Sequence, residues 1–256
     1  MIVYSDFNKG RFGNQLFFVA STIGIANKNK TDFAFSSQMG FGSENYQKIF
    51  KNKLPTTNYK PTKKYYQSGF HYEDIIIDDA ELIGYFQSEK FFKNCEEIIK
   101  EQFSFKDEFI DLVLKKYKNA LNSISIHVRR GDYINQPNHH PVLEKEYYSN
   151  ILNNIGNEYE NIFVFSDDVD WVKNNFAGDR YIFPNFDVDN DLFCFILMSM
   201  CKDNVISNST YSWWAAWINN NQNKKIYSPT HEKWFGPMYS NLNTKDLLPS
   251  DWIKIS

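Results

Sequence analysis

Two adjacent arginines, Arg129 and Arg130, carry the sharpest chemical signal in this chain, within the stretch SISIHVRRGDY from Ser123 to Tyr133. A guanidinium fork matches two phosphate oxygens at once, so an arginine pair in a loop beyond a strand suits a diphosphate. Ile124, Ile126 and Val128 alternate with Ser125, His127 and Arg129, the two-residue period of a strand. That period puts His127 and Arg129 on one side, while Gly131 releases the backbone and Asp132 hangs in the loop beyond. In open α/β sheets the loop at the carboxyl end of a strand is where ligands bind. A solvated arginine pair bridged to the aspartate uses the same residues, so neighbouring strand ends have to decide.

Two further strand ends carry polar groups. One is Ser166-Asp167-Asp168; the other is Ser207-Asn208-Ser209-Thr210-Tyr211-Ser212, which runs into a helix holding Trp213, Trp214 and Trp217. Capping accounts for one or two hydroxyls at a helix start, not for so many together. With the free N–H groups of the first turn, they could hold a diphosphate opposite Arg129. Trp213 and Trp214 read mainly as packing. A competing arrangement is Asp168-Val169-Asp170, repeated as Asp187-Val188-Asp189. Such an Asp-x-Asp holds a divalent metal against a nucleotide-sugar diphosphate. It ranks lower because the arginines and the hydroxyl-rich helix start already form a cationic cradle. His139-His140 adds no ligand pattern.

The elements that position these groups alternate regularly from Ser123 onward. Strands are expected at Ser123–Arg129, Asn161–Phe165, Tyr181–Phe183, Val205–Ile206 and Lys224–Tyr227, with helices between them. Five strands alternating with helices imply an α/β fold with a parallel, doubly wound sheet in the C-terminal half. The N-terminal half begins with a strand at Ile2–Tyr4, a glycine-containing loop and a helix from about Asn14 to Asn27. As a phosphate signal that loop is weak: it has neither the dinucleotide fingerprint nor a Walker lysine. Residues 31–66 resist parsing, with an exposed loop expected at Thr56–Lys60. A strand follows at Ala80–Phe86, then helices from Ser88 to about Phe103 and over Lys106–Asn119. Lys115–Asn122 is the candidate hinge. The division is therefore residues 1–120, residues 121–235, and a tail, 236–256, that packs back.

At 256 residues the chain can bury real cores, and a net charge of −3 gives no global footprint for nucleic acid. Cys95, Cys194 and Cys201 are too few and scattered for a disulfide framework or zinc site, and Cys194 and Cys201, seven apart in an apolar helix, read as reduced core residues. MIVYSDFNKG shows no secretory pattern, and no apolar run is long enough to span a bilayer, so a cytoplasmic location is expected.

The chain resembles the bacterial α-1,2-fucosyltransferases of glycosyltransferase family eleven over nearly its whole length. The resemblance rests on GRFGNQ (Gly10–Gln15), GYFQSEKFF (Gly84–Phe92), HVRRGDY (His127–Tyr133), FSDDVDWV (Phe165–Val172), SNSTYSWWAAW (Ser207–Trp217) and the tail near Leu247–Trp252. It implies a two-domain GT-B-like fold with residues 1–120 on the acceptor side and residues 121–235 as a Rossmann-like domain binding GDP-fucose as donor, no cofactor or metal, and inverting transfer to the 2-hydroxyl of a terminal β-galactoside. It also implies that His127 and Arg129 face GDP, with Arg129 on the diphosphate, and that Arg130 and Asp132 shape the same loop. Ser209, Thr210, Tyr211 and Ser212 would meet the phosphates. Asn14 would reach the donor, with Gln15 beside it. A carboxylate is the natural reader of guanine's two donor groups, and Asp167, Asp168 and Asp191 stand near the right strand ends.

In related enzymes a glutamate a few residues beyond the arginine motif serves as base; here Asn135-Gln136-Pro137-Asn138 offers no carboxylate. Asp132 is the first candidate for that role, with His140 and Glu144 behind it. A lipid-linked acceptor glycan would bring the enzyme to the inner leaflet. A non-catalytic protein that binds GDP or sugar on the same fold is the alternative from another class.

Overall fold

The computed structural model describes residues 1–38 and 43–256. The chain forms two compact units, Met1–Lys106 with Leu242–Pro249 and Asp107–Asn241 with Ser250–Ser256.

The first unit is built on β1 (Ile2–Tyr4), whose three residues are all buried. The helix α1 (Phe12–Lys28) follows, then β2 (Phe33–Ser36), α2 (Ser43–Ile49), β3 (Thr56–Thr57), β4 (Lys64–Tyr66), β5 (Ala80–Ile83) and α3 (Glu96–Gln102). The strands form one parallel sheet in the order β3-β2-β1-β5-β4. The unparsed segment thus supplies three strands and a helix, and part of it lies outside the described residues. Between Pro55 and Pro61 the expected loop contains the short edge strand β3, a position where prolines on either side do not break a ladder. Strand β5 stops short of Phe86 because the backbone there turns left-handed, with φ 49° at Phe86. Residues 242–249 return to this unit, where buried Asp246 accepts from the Tyr72 amide at 2.9 Å and pairs with Lys90 at 2.5 Å.

The second unit comprises α4 (Asp107–Lys116), β6 (Ile124–Val128), α5 (Lys145–Ile155), β7 (Ile162–Ser166), α6 (Val169–Asn175), β8 (Tyr181–Ile182), α7 (Asn190–Met200), β9 (Asp203–Val205), α8 (Thr210–Ile218), β10 (Ile226–Pro229) and β11 (Ile253–Ile255). All strands run parallel in the order β11-β10-β9-β6-β7-β8. Counted within the unit this is third-second-first-fourth-fifth-sixth, the dinucleotide-binding order with its reversal between β6 and β9. The sixth strand comes from the expected tail. Helix α4 sits in this unit, with Phe109 edge-on to Phe193 of α7 at 5.5 Å, whereas the sequence placed residues 107–120 with the first.

Every residue of β6 is buried, as a central parallel strand requires. Its apolar face, Ile124, Ile126 and Val128, joins Tyr147, Tyr148 and Ile151 of α5 and Val172 of α6 in one core. Its polar face is paired across the ladder: Ser125 stands opposite Asn204 of β9 and accepts from the Asn204 amide at 2.7 Å. Trp213 and Trp214 are fully buried, the packing role expected of them, and the three cysteines are free and buried.

Candidate functional site

The reversal point of the second sheet gathers the polar residues the sequence singled out. His127, near the end of β6, reaches across to Ser207 beyond β9, its Nδ1 2.8 Å from the Ser207 hydroxyl. Burial, helped by the positive charge of Arg129, holds the imidazole down to about 3, so it is neutral near pH 7. It therefore acts as a hydrogen-bonding strut, not as a charge.

Past the strand, both arginines are met by carboxylates. Arg129 pairs with Asp132 and, through Nη1, with Asp167 at 2.6 Å. Arg130 donates from Nε to Asp168 at 3.0 Å and from its backbone to Asp167 at 2.9 Å, and its guanidinium lies 4.2 Å above the Trp171 ring. Gly131 is what lets Asp167 in: a Cβ there would overlap the Asp167 carboxylate oxygen and lie 3.0 Å from its Cγ. Tyr133 in the same turn donates to the Asn208 carbonyl at 3.1 Å, tying the arginine loop to the segment that starts α8.

His127, Arg129, Arg130, Asp132 and Asp168 thus belong to one constellation. Ser209 and Thr210 are half-buried at the start of α8, where first-turn N–H groups have no helical acceptor. Tyr211 and Ser212 are engaged elsewhere. The Tyr211 hydroxyl donates to the Asp191 carbonyl, and the fully buried Ser212 hydroxyl donates to Ser209 O at 3.2 Å. Four hydroxyls therefore reduce to two, plus backbone amides, as groups available to an anion. Asp168 caps α6 by accepting from the Trp171 amide at 3.1 Å, so with Arg130 both its oxygens are occupied. Asp191 is exposed in the first turn of α7. Glu144 is exposed before α5, and the half-buried His140 ring stacks on Tyr133, centroids 4.6 Å apart. Among the described residues no group of three or more His, Cys, Asp or Glu is arranged to hold a metal ion.

In the first unit, Asn14 and Gln15 open α1. Asn14 accepts from the Gln87 amide at 3.0 Å. Gln15 is buried and donates to the carbonyls of Phe7 at 3.3 Å and Gly10 at 3.0 Å, so its amide nitrogen fixes the preceding loop. Sequence reasoning underrated Asp167, the carboxylate that touches both arginine residues; the Asp-Asp doublet at the end of β7 was its only signal. Nothing in the spacing announced Trp171 beneath Arg130.

A sequence model described as Glycosyl transferase family 11 matches residues 18–255. Two similar proteins come from Escherichia coli. The "O-antigen biosynthesis glycosyltransferase WbnK" is 34% identical over 211 residues, covering 77% of this chain and 68% of that protein. An "Alpha-1,2-colitosyltransferase" is 31% identical over 190 residues, covering 69% and 62%. Among solved structures, the fucosyltransferase NodZ from Bradyrhizobium superposes with a TM-score of 0.55 at 12% identity, covering 84% of this chain and 91% of that one. POFUT1 in complex with GDP-fucose superposes with a TM-score of 0.53 at 11% identity, covering 88% and 97%. At such identities the likeness concerns the fold, which is GT-B with two Rossmann-like halves.

Proposed function

Since the chain belongs to glycosyl transferase family 11 and is a glycosyltransferase, we propose that it moves L-fucose from GDP-fucose to the 2-hydroxyl of a terminal β-galactoside, inverting the anomeric centre. The observation that carries this reading is the arginine pair at the carboxyl end of β6, beside the reversal point and tied to the start of α8. The α-1,2 linkage in one relative's name and the GDP-fucose complex of a structural neighbour support donor and linkage.

The charges suggest how the site works. Two arginines face three carboxylates, Asp132, Asp167 and Asp168, a formal excess of one negative charge. A diphosphate would be repelled unless it replaced a carboxylate on a guanidinium. Asp132 is the natural one to yield, because it sits on the short turn Gly131–Asn135 and its side chain is 36% exposed. Arg129 then holds the diphosphate in a fork while the first-turn amides of α8, with Ser209 and Thr210, complete the cradle. Charge on the β-phosphate grows as the fucosyl bond breaks, so these fixed donors stabilise the transition state more than the bound donor. Asp132, released by the exchange, accepts the proton of the attacking hydroxyl. Asp191, exposed at the start of α7, is the better placed reader of guanine, since Asp168 is occupied twice.

The test is a mass-spectrometric transfer assay with a panel of GDP-sugars, GDP-colitose included, against β-galactosides, with linkage analysis of the product. Fucosyl transfer in a 1,2 linkage is expected. A 1,3 or 1,4 linkage, or turnover only with a UDP-sugar, overturns the assignment. The O-antigen role in a relative's name supports a lipid-linked acceptor and a peripheral place at the inner membrane. Among the described residues no helix is long and apolar enough to cross a membrane.

A further inference from the structure

The arginine site of the second unit continues into a wall of rings. The Arg129 guanidinium lies 5.2 Å from the centre of the Tyr133 ring, and Tyr133 stacks on His140. His140 adjoins Phe235 at 5.6 Å, Phe235 adjoins Tyr239 at 5.1 Å, and Tyr239 meets His139 at 5.8 Å. All five rings are half-buried. Beside them Met238 is 64% exposed.

The backbone beneath is braced. Gly236 N donates to His139 O at 2.8 Å and Met238 N to Asn138 O at 3.0 Å, lacing the two segments together. A side chain at position 236 would overlap the Asn138 carbonyl, so the approach depends on glycine. Buried Asn208, just past β9, pins both from below by donating to Pro141 O at 2.8 Å and Trp234 O at 3.2 Å. The backbone that carries these rings is therefore held by main-chain bonds between the two segments and by the Asn208 side chain, from the segment that leads into α8.

We propose that this ring-lined face is the acceptor subsite and takes the C–H face of a terminal hexopyranoside. The inference rests on the transferase reading of the Arg129 site. Two properties select a sugar. The face begins at the guanidinium assigned to the leaving diphosphate, so a molecule seated on it adjoins the reacting end of the donor. Its rings carry polar edges, two imidazoles and two phenols, around apolar faces. A pyranose has the same two-sidedness, a patch of C–H bonds ringed by hydroxyls, and preformed sites combine such surfaces with a few polar groups.

The experiment uses the full chain with Phe235→Ala and Tyr239→Ala, and with Phe235→Leu and Tyr239→Leu, which keep apolar bulk without a ring. The acceptor KM should rise at least fivefold in each, with the Kd for GDP, by calorimetry, within twofold of wild type. Phe235→Tyr, which keeps the ring, should restore the KM. Native-like melting with an acceptor KM within twofold of wild type overturns the proposal, and so does an equal loss of GDP affinity. Absence of transfer from every GDP-sugar would sink the transferase reading alone. Saturation-transfer NMR with methyl β-galactoside then decides the subsite. Signal in the wild type that is lost in the leucine variants upholds it; no signal in the wild type, or equal signal in all, overturns it.

Discussion

Replacing His127 by Gln should flatten the acid side of the second unit's stability profile. The ring is buried and faces the Ser207 hydroxyl at 2.8 Å, and it is held down to about 3 from an ordinary 6.5 by burial and then by Arg129. Below the ordinary value the unfolded chain takes up a proton that the folded chain refuses. The stabilisation is therefore complete above about pH 6.5 and falls by ~1.4 kcal/mol per pH unit on acidification, until the folded ring itself titrates. Between about pH 7 and about pH 5 this one group removes about 2 kcal/mol. Gln cannot titrate, and whatever it loses by meeting Ser207 less well, about 1–3 kcal/mol, is the same at every pH. Urea unfolding followed by tryptophan fluorescence is the assay, because all 6 tryptophans lie in the second unit and the signal reports that unit alone. Wild type should lose its advantage over His127→Gln by about 2 kcal/mol across that interval. A difference constant to within about 0.5 kcal/mol would show that the folded ring titrates like a free one, and would refute the reasoning.

Arg129→Ala should lower turnover by ~10²–10³, the usual cost of one transition-state donor, and Arg129→Lys should stay clearly impaired because the fork is gone though the charge remains. Near-normal turnover in a natively melting Arg129→Ala would transfer the role to Arg130. Gly131→Ala should push the Asp167 carboxylate off the Arg130 amide, so that the arginine loop loses its anchor and turnover and GDP affinity, by calorimetry, both fall through misplacement of Arg129. Unchanged values would mean that the carboxylate shifts without consequence. Activity should survive EDTA; if it is abolished and Mn²⁺ or Mg²⁺ restores it, Asp168 and Asp170 become metal ligands and their Asn variants the crippling ones.

Much of the second unit was legible because its strands are short apolar runs separated by amphipathic helices, a pattern with one economical solution. The arginine loop was legible for the same reason: its period-2 strand fixed which residues end up at the carboxyl edge. Strand β11 was not, since Ile253-Lys254-Ile255 is too short to show a period and gains its partner, Tyr227 and its neighbours, only in three dimensions. The roles of Tyr211 and Ser212 were hidden similarly. A hydroxyl at a helix start looks the same whether it faces a ligand or, as here, a carbonyl of its own unit. Asp167 escaped weight because its importance lies in Gly131, 36 positions earlier in the numbering, making room for it. In the first unit, edge strands β3 and β4 span two and three residues, mostly exposed, and leave almost no hydrophobic signature.

The return of residues 242–249 to the first unit has a consequence for how the chain is made. Lys90 and the Asp246 carboxylate it pairs with are separated by 156 positions. At a synthesis rate of about 5–20 residues per second, the aspartate follows the lysine by roughly 8–30 s. Through that interval the parallel sheet of the first unit already has the five strands of its described residues, while the Tyr72 amide and Lys90 still lack their acceptor. The nascent protein thus presents a nearly finished half with one open seam, and the second half must emerge before the seam can close. A late ribosomal pause would therefore leave the Tyr72 amide and Lys90 without the Asp246 carboxylate although the unit's own 106 leading residues had been complete for many seconds.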